Sequence, residues 1–174
     1  MPMWFVIILI VIVGIFHSCK PSNTVTFEVT PQEFLSEYNK EVSTDLNIIT
    51  FRSGVVASVD ENNQFGNFNK YTFDFSRDST SGKMNRLNIR YNFSREPDGR
   101  PTAEGMRKMT EICLSAIDAI DDSWTTNGDS ILQNLGFYAN KDGWQEYTTN
   151  GIKYRLDRDS TVGAVSLSME AVKE

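Results

Sequence analysis

The chain of 174 residues contains one histidine, His17, and two cysteines, Cys19 and Cys113. Activation of a serine or cysteine nucleophile normally uses an imidazole base, and zinc, copper and non-haem iron sites normally use imidazole ligands. Iron–sulfur clusters need several thiolates. Because His17 lies in a segment that we expect to be removed, the remaining domain lacks the residues for all of these chemistries.

Glycine-rich phosphate-binding loops and an excess of positive charge are also missing. Neither G-x-G-x-x-G nor G-x-x-x-x-G-K-[ST] occurs, and the formal net charge is −6. Such loops usually hold nucleotide phosphates, and a basic face usually holds nucleic acid. The sequence therefore predicts no cofactor and no nucleic-acid partner.

A long uncharged segment stands at the N-terminus. Residues 3–16 contain no charged residue, and as a helix they would extend about 21 Å at ~1.5 Å per residue. This is shorter than the ~30 Å hydrocarbon core of a bilayer and is typical of the apolar part of a signal peptide. An uncleaved membrane anchor over residues 1–18 is the alternative, since residues 1–19 would reach about 28 Å.

Ser18 and Cys19 follow this segment directly. A small residue before a cysteine at the end of an apolar run resembles the signal segment of bacterial lipoproteins. The resemblance is confined to residues 1–20. It implies that Cys19 carries lipid, that residues 19–24 form a tether, and that the domain lies in the cell envelope, anchored to a membrane and outside the cytoplasm.

Residues 25–174 are expected to form a single domain, because the chain is 40% hydrophobic and 23% charged, as globular domains are. Thr30-Pro31-Gln32-Glu33 is a capping box with proline at the first helical position, and it predicts a helix. Thr102 is expected to cap a second helix, whose apolar residues recur at helical spacing from Met106 to Ile120. A shorter helix is expected from Asp129 or Ser130 to Leu135.

Stretches in which apolar and polar residues alternate predict strands with one buried face. A short strand is expected at Val25, Phe27 and Val29. The longer stretches are Asn47–Val59, Asn69–Ser76, Lys83–Phe93, Gln145–Thr148, Ile152–Asp157 and Ala164–Ala171. The sequence thus predicts the α+β class, with helices packed on one face of an antiparallel sheet.

The order of a helix followed by strands occurs twice, in residues 25–94 and 102–174. Residues 71–82 can be aligned with residues 152–163 at a constant offset (71 to 152), and Arg-Asp-Ser-Thr recurs at Arg77 and Arg158. A tandem repeat and two independently chosen turns both explain this similarity. The element order is similar in outline to tandem α+β modules such as the β-lactamase inhibitor protein, a likeness that transfers no binding residues.

Aromatic residues near predicted loops are the candidate binding residues. They are Trp124, Trp144, Tyr138 and Tyr147. Aromatic anchors dominate interface energetics, whereas most aromatic residues simply fill cores. Cys113 lies on the apolar side of the second helix and is expected to be a small buried hydrophobic residue.

Carboxylates are the remaining candidates for chemistry. Asp118, Asp121 and Asp122 cluster at the end of the second helix, where a weak cation site and a solvated acidic surface are both possible. Glu33, Asp74 and Asp157 are candidates for a pair of glycosidase carboxylates, although the sequence does not set their separation.

These observations favour a membrane-tethered, non-catalytic module that binds a protein or an envelope component. Two alternatives stay open, a carboxylate-dependent envelope hydrolase and a passive structural lipoprotein. A hydrolase would need two acids converging in a cleft, one of them with a raised pKa.

Overall fold

Alternation of apolar and polar residues shapes the largest element of the fold, an antiparallel sheet of six strands. The computed structural model describes residues 24–46, 57–60, 70–93, 96, 100–121, 127–139 and 141–173, with the backbone alone at 57–60 and 70. The strands are β1 Ala57–Asp60, β2 Lys70–Arg77, β3 Met84–Asn92, β4 Gly143–Thr149, β5 Ile152–Asp159 and β6 Ala164–Ala171. The helices are α1 Pro31–Glu41, α2 Ala103–Ile120 and α3 Gly128–Asn134, with 3-10 turns at Thr44–Leu46 and Phe137–Ala139.

The strand order in the sheet is β1-β2-β3-β6-β5-β4. Each half of the chain contributes three consecutive strands, and the halves meet where β3 pairs with β6, with Ile89 opposite Leu167. All five pairings are antiparallel. Among the described strands, β1 and β4 form the two edges of the sheet.

Local side-chain chemistry sets the helix starts. The Thr30 hydroxyl accepts a hydrogen bond from the Glu33 N–H at 3.3 Å, and the Thr30 N–H donates to the Glu33 carboxylate at 2.8 Å, which completes the predicted capping box. Thr102 caps α2 by accepting from the Gly105 N–H at 3.2 Å. Gly105 must lack a side chain, because an added Cβ would lie 2.1 Å from the Tyr91 hydroxyl.

The helices pack on one face of the sheet, and a single hydrophobic core lies between them. Tyr38 of α1 meets Phe73 of β2 edge to face, with ring centroids 5.5 Å apart. On the sheet, Tyr71 and Tyr91 stack across β2 and β3 at 4.5 Å. Such aromatic pairs contribute about 0.5–1.5 kcal/mol each beyond their buried area.

The predicted α+β class and the repeated helix-then-strands order are confirmed. The α3 helix begins at Gly128, slightly before the predicted start, because the Asn127 side chain caps it. Val25–Val29 forms no strand, which corrects that prediction. Phe27 and Val29 instead both bond to the backbone of Met84. The Phe27 N–H donates to the Met84 carbonyl, and the Met84 N–H donates to the Val29 carbonyl. Residues 47–56 of the first predicted strand lie outside the described residues.

None of the helices in the described part of the chain is both long and apolar enough to cross a membrane. The proposed signal segment 1–18, Cys19 and most of the tether 19–24 lie outside that part.

Candidate functional site: the uncovered face of the sheet

Three of the four candidate aromatic residues lie at the β4 end of the sheet. Trp144 is 56% exposed and Tyr138 is 48% exposed, whereas Tyr147 is half-buried and packs against the core. Trp144 and Tyr147 belong to the same strand but point to opposite faces, because side chains alternate along a strand. Trp124 lies outside the described residues. The structure therefore does not bring these aromatic residues together on one surface.

Tyr138 is fixed to α3. Its hydroxyl donates a hydrogen bond to the Asp129 carboxylate at 2.7 Å, and its ring meets Phe137 edge to face. Partial burial, together with the hydrogen bond to Asp129, raises the pKa of Tyr138 to about 12. We attribute to Tyr138 a role in holding the 3-10 turn against α3.

Trp144 points to the face of the sheet opposite the core, which we call the open face. No described helix packs on this face, and its side chains are mostly exposed. Strand registers assign to it Thr72, Asp74 and Ser76 of β2, Arg86, Asn88, Arg90 and Asn92 of β3, Trp144, Glu146 and Thr148 of β4, Lys153, Arg155, Asp157 and Asp159 of β5, and Ala164, Ser166, Ser168 and Glu170 of β6. The open face is thus polar, with Trp144 as its one large apolar side chain among the described positions.

Cross-strand contacts hold both flanks of the open face. On the β2–β3 side, the Asn88 amide donates to the Asp74 carboxylate at 3.0 Å. On the β4–β5 side, the Arg155 guanidinium lies over the Trp144 ring, 5.0 Å from its centroid. Exposed cation–π contacts of this kind contribute about 0.5–1 kcal/mol. The Trp144 ring is therefore held in position while most of its surface stays in solvent.

A shallow trough runs along β6 in the middle of the open face, because β6 contributes small side chains there, Ala164, Ser166 and Ser168. A depression of about 190 Å³ lies at one end of this trough. Its lining comprises Arg90, Asp157, Asp159, Val162, Ala164 and Ser166. This volume is below the ~300–1,000 Å³ of small-molecule sites. It suits one side chain or a similarly small group of a larger partner.

A larger depression of about 510 Å³ lies where residues 25–29, the first residues of the domain, reach the sheet. Phe27 and Val29 line it together with Ile120 and Ile152. The segment that follows the expected tether is thereby packed against the end of the sheet, and Phe27 is buried.

Two of the clustered carboxylates lie at the C-terminal end of α2. Asp121 is the C-cap and accepts a hydrogen bond from the Asn150 amide at 3.2 Å. Partial burial of the Asp118 carboxyl, with the nearby charges of Glu41 and Asp121, raises the pKa of Asp118. Asp122 lies outside the described residues. Within the described part of the chain, no group of three or more histidine, cysteine or acidic residues is arranged to hold a metal ion.

The three acids considered for glycoside hydrolysis do not converge. Glu33 belongs to the capping box of α1, where the hydrogen bond from the Thr30 backbone lowers the pKa of Glu33. Asp74 and Asp157 share the open face but lie on β2 and β5, with β3 and β6 between them. Neighbouring strands are ~4.8 Å apart, so β2 and β5 lie about 14 Å apart. The registers also offset Asp157 by two residues from the cross-strand row that contains Asp74. Glycosidase pairs need at most ~9.5 Å.

Cys113 and Arg158 are both buried in the core. Cys113 is fully buried, as expected, and burial raises the pKa of its thiol. Arg158 is only 3% exposed, and its guanidinium donates to the Phe137 carbonyl at 2.8 Å. The recurring Arg-Asp-Ser-Thr segment that begins at Arg158 indicated a turn and not a core position. Its place in the alternation with Ile152, Tyr154 and Leu156 was the signal that it faces the core.

Comparison with known proteins gives no assignment, since no protein-family model, no curated protein and no solved structure matches the chain. The likeness in outline to tandem α+β modules therefore rests on element order.

Proposed function

We propose that this chain is a membrane-tethered, non-catalytic binding module that holds a protein or another component of the cell envelope on its open face. The observation that carries the proposal is a six-stranded sheet with helices on one face and a solvent-exposed, pre-positioned tryptophan on the other.

Trp144 is preorganised for binding. Strands position side chains more rigidly than loops do, so an exposed aromatic ring on a strand loses little conformational entropy when a partner binds. Trp144 has this position, with Arg155 stacked on its ring. The trough along β6 adds a concave region beside it. Aromatic residues and arginine are also the types that most often dominate binding energy at interfaces.

Site-specific photo-crosslinking in intact cells tests the surface. A photoreactive amino acid at Arg86 or Asp157, both exposed on the open face, is expected to give a discrete crosslinked product. The same amino acid at Ala103, exposed on α2, is expected to give none. Trp144→Ala should lower the yield at least fivefold, and Trp144→Phe, which keeps a ring beneath Arg155, should retain most of it. Equal products from both sides of the molecule would refute the assignment.

The tether is proposed on the sequence pattern alone. We propose that Cys19 carries lipid and that residues 20–24 link it to the domain in the cell envelope. Growth with a labelled fatty acid should label the wild-type chain and Cys113→Ser but not Cys19→Ser. Cys113 is the matched control because it is the chain's second cysteine and is buried. Label retained by Cys19→Ser would contradict lipidation at that residue.

A further inference from the structure

Among the described residues, the outer edge of β4 has no backbone partner. β4 pairs with β5 and ends the described sheet, and no other described strand pairs with it. Asn150 and Gly151 form the two-residue turn between β4 and β5, with φ angles of 50° and 67°. The residues that flank such a turn, Thr149 and Ile152, form a hydrogen-bonded pair, and the pattern alternates from there. The backbone N–H and C=O groups of Trp144, Glu146 and Thr148 therefore point away from the sheet.

β4 lacks the usual protection of an edge strand. Edges are commonly blunted by short length, bulges, proline or lysine. β4 is seven residues long, its register with β5 is unbroken, and its sequence, Gly143–Thr149, contains neither proline nor lysine. Most of its residues are exposed.

Side-chain sites flank this edge on both faces of the sheet. On the helix side, a depression of about 220 Å³ lies between α3 and β4, lined in part by Leu135, Leu156 and Gln145. Its volume is again below that of small-molecule sites, which favours a single inserted side chain. On the open face stand Trp144 and Glu146. A strand added to β4 would point alternate side chains toward these two places.

We propose that β4 receives an extended peptide segment of a partner protein, which adds to the sheet as an antiparallel seventh strand. A side chain of the segment enters the depression between α3 and β4, and a basic side chain lies opposite Glu146. The inference rests on the proposed binding function and specifies the mode of recognition and the chemistry of the partner.

Net charge favours a partner segment over a second copy of this chain. Each copy carries a net charge of −6, so two copies repel each other. On β4 itself, Glu146 forms an ion pair with Lys153 of β5 at 3.0 Å. A basic segment complements the negative charge of the chain, and its basic side chain would share the Glu146 carboxylate with Lys153. The net negative charge thus favours a basic, alternating peptide.

The probe is a fluorescent nine-residue peptide that alternates threonine with valine and carries lysine at the central, fifth position. Odd-numbered residues then share the face of lysine and turn their N–H groups toward β4. We expect saturable binding to the full chain in detergent, measured by fluorescence anisotropy. N-methylation of residues 3, 5 and 7 should weaken binding at least tenfold. The matched control, N-methylated at residues 4 and 6, should bind within about threefold of the unmodified peptide.

Variants of β4 provide a second test of strand addition. Thr148→Pro removes one outward N–H and places a ring in the path of an added strand, and edge strands tolerate such a proline. It should weaken the peptide at least tenfold while circular dichroism shows a folded chain, and Thr148→Val should bind like wild type. Equal binding of the two N-methylated peptides, or no binding at millimolar peptide, would overturn the inference. So would a dimer of the full chain that Thr148→Pro dissociates.

The outcomes separate the inference from the proposed function. Crosslinks on the open face with no peptide binding would leave the binding module in place and remove strand addition. Peptide binding without such crosslinks would support β4 as the recognition edge and move the site off the open face.

Discussion

The two halves of the chain build the same turn but place it in different surroundings. In the turn after β2, the Asp78 carboxylate accepts hydrogen bonds from the N–H groups of Thr80 and Ser81, at 3.0 and 2.7 Å. In the turn after β5, Asp159 does the same for the two equivalent residues, at 2.9 and 3.3 Å. Both turns end on a glycine in the left-handed region, with φ of 73° at Gly82 and 68° at Gly163.

The residues just before the two turns differ in burial despite their equivalent positions. Arg77 is exposed, whereas Arg158 is buried and bonded to the Phe137 carbonyl. A bulge between Ser76 and Arg77 breaks the register of β2, and β5 has no such irregularity. A bulge changes the face to which a side chain points. Turn geometry thus follows from the local sequence, whereas the burial or exposure of the arginine follows from strand register.

Substitution of these two arginines should change stability by very different amounts. Arg158→Ala should lower the free energy of unfolding by about 2–4 kcal/mol, because it leaves a cavity and an unpaired buried carbonyl. Arg77→Ala should change it by less than about 0.5 kcal/mol, as for other surface substitutions. Urea unfolding followed by tryptophan fluorescence measures both. Arg158→Met, which keeps the aliphatic volume, should lose less, and equal losses from both alanine variants would contradict the contrast.

An intermediate effect is expected at the capping aspartates. Asp78 is 7% exposed and Asp159 is exposed. Asp78→Ala should cost about 1–3 kcal/mol, since shielded N–H groups lose their acceptor. Asp159→Ala should cost no more than about 1 kcal/mol, because water can replace the carboxylate. Thermal unfolding compares them, with Asp78→Asn and Asp159→Asn as controls that keep an acceptor oxygen. A larger loss at Asp159 would show that burial does not control the cost.

The same contrast explains which features the sequence predicts. Capping boxes and apolar alternation are local signals, and they predicted α1, α2 and five of the strands closely. The turn similarity between residues 71–82 and 152–163 was visible for the same reason. The pairing of β3 with β6, the burial of Arg158 and the separation of Asp74 from Asp157 depend on strand order, which no local pattern encodes. Trp144 was predicted as a binding residue, but its place on the open face required the register of β4.

The C-terminal ends of the two long helices differ in charge, and this difference should have a small effect on stability. The last turn of α1 carries Lys40, which complements the helix dipole, whereas α2 has no basic residue in its last turn and carries Asp118 there. The pKa of Asp118 is raised in the folded state, so the native chain binds more protons than the unfolded chain and loses stability as pH rises through this range. Asp118→Asn should therefore stabilise the fold at pH 7.

The expected gain is about 0.3–1 kcal/mol, because solvent screens this partly exposed carboxylate. It should vanish below about pH 3.9, where the aspartate is protonated in the unfolded chain as well. Urea unfolding at a series of pH values measures the difference. The matched change on α1, Lys40→Gln, should instead lower stability slightly at pH 7. A loss of stability in Asp118→Asn at neutral pH would mean that its carboxylate makes favourable contacts that outweigh the unfavourable helix end.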